Sequence, residues 1–155
     1  MSDVLSGCVD VVVRSAAGAK GLLPPGVPLA SFLTALLDVG SDAYRGFLEL
    51  ARHVGAGSQL VPSYLSIDVV RREFALALTP ASEPLRRAGL RLVVLKVTCS
   101  GYELSAEVLA EPSRHPLPEA CSEEPREGSF VVRCRSRELR DLPTLTAILG
   151  PLAPR

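Results

Sequence analysis

Four arginines near the C-terminus, Arg133, Arg135, Arg137 and Arg140, are the residues whose spacing most readily suggests chemistry. At period two, the first three share one face of an extended strand, where guanidinium groups could meet phosphates or an acidic partner. A plainer possibility competes. If this strand pairs antiparallel to Tyr102–Leu109, its arginines stand beside Glu103 and Glu107, and the face is solvated and internally compensated. No aromatic residue lies between the arginines to stack a base, so a nucleic-acid module is the second choice rather than the first. Arg71-Arg72 and Arg86-Arg87-x-x-x-Arg91 are expected to mark exposed faces.

The remaining reactive side chains form no recognisable set. Cys99, His115, Cys121 and Cys134 are separated by 16, 6 and 13 residues, which matches no standard zinc spacing. Cys8, Cys99, Cys121 and Cys134 contain no CxxC. Three of the four fall in expected strands, where thiols behave as small apolar groups, so no disulfide framework is expected. A small hydrolase or transferase using Cys121 or His115, both in the connection after Pro112, is the third choice, on their reactive chemistry alone. Only two histidines are present, and no G-x-S-x-G or H-E-x-x-H motif occurs. Gly18-Ala19-Lys20-Gly21 lacks the Ser or Thr and the helix that a phosphate loop requires, and it reads as a turn. His53 falls near a helix end, where an imidazolium suits the dipole. No catalytic, cofactor or metal-binding residue is assigned, and no cofactor is expected.

The elements that position these residues are clearer. Residues Leu92–Leu109 fold about Ser100-Gly101 into a hairpin that pairs Cys99 with Tyr102, Val97 with Leu104, Leu95 with Ala106 and Val93 with Val108 on an apolar face. Thr98 against Glu103, Lys96 against Ser105 and Val94 against Glu107 make the opposite face. A one-residue slip would put the apolar set in water, so the face is strongly specified.

Upstream, Val9, Val11 and Val13 mark a strand over Cys8–Arg14, followed by the loop Ser15–Pro28 with three glycines and three prolines. Leu29, Phe32, Leu33, Leu36 and Leu37 recur at helical spacing up to Gly40. Tyr44, Phe47, Leu48 and Ala51 continue a stripe from the Ser41-Asp42 cap to Val54, stopped by Gly55 and Gly57. Leu65, Ile67 and Val69 have one strand parity, whereas Phe74, Leu76 and Leu78 have the other. Either a hairpin turns at Arg71-Arg72, or the strand ends near Asp68 and a helix carries Val70, Phe74, Ala77 and Leu78. The helix is preferred because two arginines suit a tight turn poorly.

Downstream, the proline- and carboxylate-rich stretch 112–128 is expected to be mobile surface. Phe130, Val132 and Cys134 then point one way from a further strand. Leu142, Leu145, Ile148 and Leu149 suggest a short terminal helix with Pro143 in its first turn.

The chain has 155 residues, 47% apolar and 22% charged, with no net charge, which is neither a disordered composition nor one globally suited to polyanions. Arginine-rich, lysine-poor usage without asparagine reads as codon bias in a GC-rich genome. Met1–Gly7 has no basic region leading into an apolar run, and no apolar stretch reaches the ~18 residues of a membrane span. A soluble, intracellular protein is expected. Its fold class is α+β: mainly antiparallel sheet with helices packed on one face, in the order β-α-α-β-α-β-β-β-α. It forms a single domain over 1–155, with a core at 8–111 and an extension at 112–155.

From Cys8 to Glu111, the order and spacing of elements resembles the family of small proteins encoded by the third open reading frame of adenovirus early region four. The residues that carry the resemblance are the strand opening on Cys8, the helix Leu29–Leu37, the aromatic-glycine segment Asp42-x-Tyr44-x-Gly46, the strand-to-helix junction Leu65-x-Ile67-Asp68-Val69 and the closing Glu107-Val108-Leu109. The resemblance implies a non-enzymatic viral early protein of the host nucleus, whose dimers assemble further and capture host proteins. It assigns no partner-binding residue. A homodimer or higher oligomer would offer a partner surface for Leu142, Leu145, Leu149 and Leu152.

Overall fold

The computed structural model describes residues 29, 33–34, 42–56, 59–68, 73–98, 100–109 and 120–149. The expected strand Cys8–Arg14, the Gly18–Gly21 turn, most of the Leu29–Leu37 helix, Arg71-Arg72, Cys99, His115 and Leu152 lie outside them. Leu29, Leu33 and Thr34 are helical, and Leu33 is fully buried.

Helix α1, Asp42–Val54, forms where the stripe requires it and buries Phe47, Leu50, Ala51 and Val54. Gly55, at φ +80°, ends it, and the Gly55 and Ala56 amides both donate to the Ala51 carbonyl. Where α1 packs on the sheet at Gly46, a Cβ would stand 3.4 Å from Val97 Cγ1, an ordinary contact.

Strands β1 (Leu60–Asp68) and β2 (Glu73–Pro80) form an antiparallel hairpin. The structure therefore corrects the helix expected after Asp68. Leu65 faces Leu76 and Ile67 faces Phe74, so the change of parity along the sequence is what a hairpin needs to keep both apolar sets on one side. A register shift between Pro62 and Tyr64 keeps Leu60 and Pro62 buried as well.

A six-residue helix, α2 (Glu83–Ala88), crosses from β2 to β3 and buries only Leu85. It is defined by Ser82 at its N-cap, Pro84 in its first turn and Gly89 at φ +103°. The sequence reading places no helix here.

Strands β3 (Leu90–Thr98) and β4 (Gly101–Val108) are the expected hairpin with the register shifted by two residues: Val97 faces Tyr102 and Leu95 faces Leu104. An even shift leaves each side chain on its face, so Val93, Leu95, Val97, Leu104, Ala106 and Val108 are all buried. Gly101 belongs to the strand, at φ +136°, packed where a Cβ would overlap the Ser136 carbonyl oxygen. Thr98 Oγ1 organises the turn by accepting from the Ser100 amide and donating to the Gly101 carbonyl.

Strand β5 (Cys121–Arg126) lies inside the stretch expected to be mobile, and Gly128 at φ +79° turns it into β6 (Ser129–Ser136). The six strands are antiparallel in the order β1-β2-β3-β4-β6-β5, so the C-terminal extension is built into the sheet. A 3₁₀ turn at Leu139–Asp141 and helix α3 (Leu145–Leu149) close the described chain, with Pro143 just before α3 rather than within it.

The result is a sheet-dominated antiparallel fold with a few helices. From α1 onward the order over the described residues is α-β-β-α-β-β-β-β-α, which differs from the α-β-α-β-β-β-α expected over the same stretch by a strand in place of the helix after Asp68, by α2 and by β5. The inward faces of the strands, α1, Leu33, Leu142, Leu145 and Ile148 form one continuous core.

Candidate interaction surface

The pleat places Lys96, Glu103 and Arg135 side by side on the face opposite the core, because Lys96 pairs with Glu103 and Glu103 with Arg135. Charges of alternating sign run across the sheet. Lys96 Nζ lies 3.7 Å from Glu73, Arg135 Nε donates to Glu103 Oε1 at 2.8 Å, and Arg133 Nε lies 3.8 Å from Glu103 Oε2. Arg133 Nη1 also reaches Glu124 on β5 at 3.4 Å, and Glu124 takes Arg126 at 3.5 Å. Glu107 accepts the Ser129 hydroxyl at 3.0 Å. Arg133 and Arg135 thus sit beside β4, one of the two arrangements weighed from the sequence, with Glu103 rather than Glu107 as the shared partner.

Arg137 lies just past β6, is exposed, and has no ion-pair partner among the described residues. Arg140 lies on the 3₁₀ turn and pairs with Glu138 at 2.7 Å. A concavity of about 550 Å³ opens at this end of the sheet, lined by Lys96, Thr98, Tyr102, Glu103, Arg135 and Arg137 among others. Its floor is the charge ladder itself, so most of its cations already face carboxylates.

The structure corrects the leucine surface. Leu142 and Leu145 are 2% and 1% exposed and belong to this chain's own core, so neither presents a face to a partner. The reason is a long-range tie: the C-terminal segment folds back against α1, where His53 Nε2 donates to the Leu142 carbonyl at 2.6 Å. A carbonyl only accepts, so Nε2 carries the proton. The side chain of Leu149 and all of Leu152 lie outside the described residues.

The structure also corrects the cysteines. Cys121 and Cys134 face each other across β5 and β6 and form a disulfide. Both point inward, and Cys134 is fully buried. Their separation of 13 residues carries no signal by itself. The pairing follows only from the register of a strand that the prolines of 112–128 concealed. Among the described residues, no group of three or more His, Cys, Asp or Glu could hold a metal ion, and no helix is long and apolar enough to cross a membrane.

The two edges of the sheet differ sharply. Edge strand β5 carries Glu123, Glu124, Pro125 and Arg126, all exposed, which blunts it against further pairing. Edge strand β1 has nine residues and only one charge, Asp68 at its end. Among the described residues, no strand pairs with its outer side. No family model, curated protein or solved structure matches the chain.

Proposed function

We propose that the chain is a non-enzymatic interaction protein that self-associates by joining its β1 edge to β1 of a second copy. The observation that carries this proposal is the contrast between the edges: one long and nearly uncharged, the other short, charged and covalently tied. Beyond the irregularity at Pro62/Tyr64, the segment 64–68 is regular. An antiparallel contact centred on Ser66 sets Leu65 of one copy against Ile67 of the other, and Asp68 against Tyr64. No like charges then stand opposite each other.

The wider proposal, a viral accessory protein whose assembly displays sites for host proteins in the host nucleus, rests on the resemblance to the adenovirus family alone, and one of its grounds, a helix following Leu65–Val69, is a strand in the structure. The competing use of Arg133, Arg135, Arg137 and Arg140 as a nucleic-acid strip loses weight, because the first two and the last already face carboxylates.

Light scattering coupled to size exclusion tests the seam. The wild-type chain is expected to run as a dimer or larger species at micromolar concentration. Ser66→Lys, at an exposed position, places like charges at the axis and is expected to give a monomer with an unchanged circular-dichroism spectrum. A strictly monomeric wild type, or a variant of unaltered mass, overturns the proposal.

A further inference from the structure

We propose that Cys121–Cys134 is a redox-modifiable pair that reacts with a dithiol donor, and that its reduction opens a second pairing edge, on β6, to another copy of this chain. This rests on the self-association reading above and adds its regulation.

Three observations converge on the pair. First, β5 contributes little to the core. Of its three inward positions, Cys121, Glu123 and Pro125, only Cys121 joins the hydrophobic cluster, and Ser122–Arg126 are all exposed. Apart from the backbone ladder, β5 is held to β6 by the disulfide and by the Arg133–Glu124 pair, which is partly exposed and therefore weak. Pro125 offers no amide to the ladder.

Second, the strand that β5 covers is the opposite in character. Ser129–Ser136 reads Ser-Phe-Val-Val-Arg-Cys-Arg-Ser, with the strand-favouring run Phe130-Val131-Val132, and Val131, Val132 and Cys134 are buried. Without β5, its amides and carbonyls on that side would form an unpaired edge with high strand propensity. Third, the two sulfurs are unequally accessible. Cys134 is fully buried, whereas Cys121 is half-buried at the start of the edge strand, so an attacking thiolate approaches at Cys121.

The exchange balances with the donor's own atoms. The donor thiolate attacks Cys121 Sγ, forms a mixed disulfide and expels Cys134 as a thiolate, which takes up a proton. The donor's second thiolate then attacks the donor sulfur of that mixed disulfide. This releases Cys121, which is protonated in turn, and the donor leaves as its cyclic or paired disulfide. Two electrons and two protons pass to the chain.

The test uses dithiothreitol as donor and the full chain, in wild-type and Ser66→Lys forms. Because Ser66→Lys disables the β1 seam, any association it gains on reduction comes from another edge, so failure of the two proposals can be told apart. Peptide mapping after alkylation is expected to label Cys121 and Cys134 only in the reduced sample. Hydrogen exchange over Ser129–Ser136, measured at the lowest concentration, is expected to accelerate at least about tenfold on reduction while β2 and β3 stay protected. Reduced Ser66→Lys is expected to shift from monomer to dimer, and Cys121→Ser, made in the same background, to do so without reductant. Resistance of the pair to the dithiol, unchanged β6 exchange, or a reduced Ser66→Lys chain that stays monomeric would each overturn the proposal.

Discussion

Glu103 on β4 serves two arginines of β6 at once: Arg135 Nε donates to one carboxylate oxygen at 2.8 Å, and Arg133 Nε stands 3.8 Å from the other. The carboxylate is only 14% exposed, whereas Arg135 is 70% exposed, so the charge balance of this face depends more on Glu103 than on either arginine. Glu103→Gln is expected to leave both guanidinium groups without that counter-charge, at a stability cost of about 1 kcal/mol or less. Its effect on polyanion binding is larger: fluorescence anisotropy with labelled single-stranded DNA at low salt should show tighter binding than wild type and a steeper salt dependence. Equal binding by the two chains would mean that the arginine row is silent for another reason.

His53 and Leu142 are 89 positions apart in sequence, and their 2.6 Å hydrogen bond joins the end of α1 to the C-terminal segment. His53→Ala removes the donor and leaves the carbonyl partly buried, which is expected to cost about 1 kcal/mol. The local effect is larger than the global one. Limited proteolysis should cut first within 139–149 in the variant, before the sheet is lost. An unchanged cleavage pattern would assign the docking of this segment to Leu142, Leu145 and Ile148 alone.

Two glycines give opposite expectations. At Gly46 an added Cβ meets Val97 Cγ1 at an ordinary 3.4 Å, so Gly46→Ala gains helix propensity without a clash and should stabilise by about 0.5–1 kcal/mol. Gly101 combines φ +136° with a backbone carbonyl where the methyl would sit, so Gly101→Ala should destabilise by about 3 kcal/mol. Urea midpoints of the two variants, which should move in opposite directions, check both.

The legible parts of this fold are those in which local pattern and tertiary context agree. The α1 stripe, the faces of Leu92–Leu109 and the shared outward face of Arg133 and Arg135 all follow from periodicity, because each element buries one face, whereas the pairing of β6 with β4 does not. The exact hairpin register does not either, because an even shift satisfies the same pattern, and in the observed register Gly101 packs on Ser136, a contact between distant strands that no local pattern contains. Residues 73–80 are ambiguous in sequence because Phe74, Ala77 and Leu78 fit a helical stripe as well as a buried strand, and pairing with β1 decides between them. Helix α2 had its signal in Ser82, Pro84 and Gly89 but is too short to show a stripe. The disulfide was hidden for the same reason as β5: neither exists without the β6 template.

The buried leucines separate folding from assembly. Leu142 and Leu145 fill the core beneath α1, so truncating either leaves a cavity costing about 2–5 kcal/mol. Leu142→Ala is therefore expected to lower the unfolding midpoint sharply while the folded fraction keeps the wild-type oligomeric mass. Ser66→Lys, on exposed β1, should do the reverse: it abolishes the larger species with little change in the midpoint. Measuring both variants by denaturant titration and light scattering tests the assignment directly, because a surface role for Leu142 requires its truncation to reduce mass without destabilising the chain. A stable, monomeric Leu142→Ala would return the seam to the C-terminal leucines and remove it from β1.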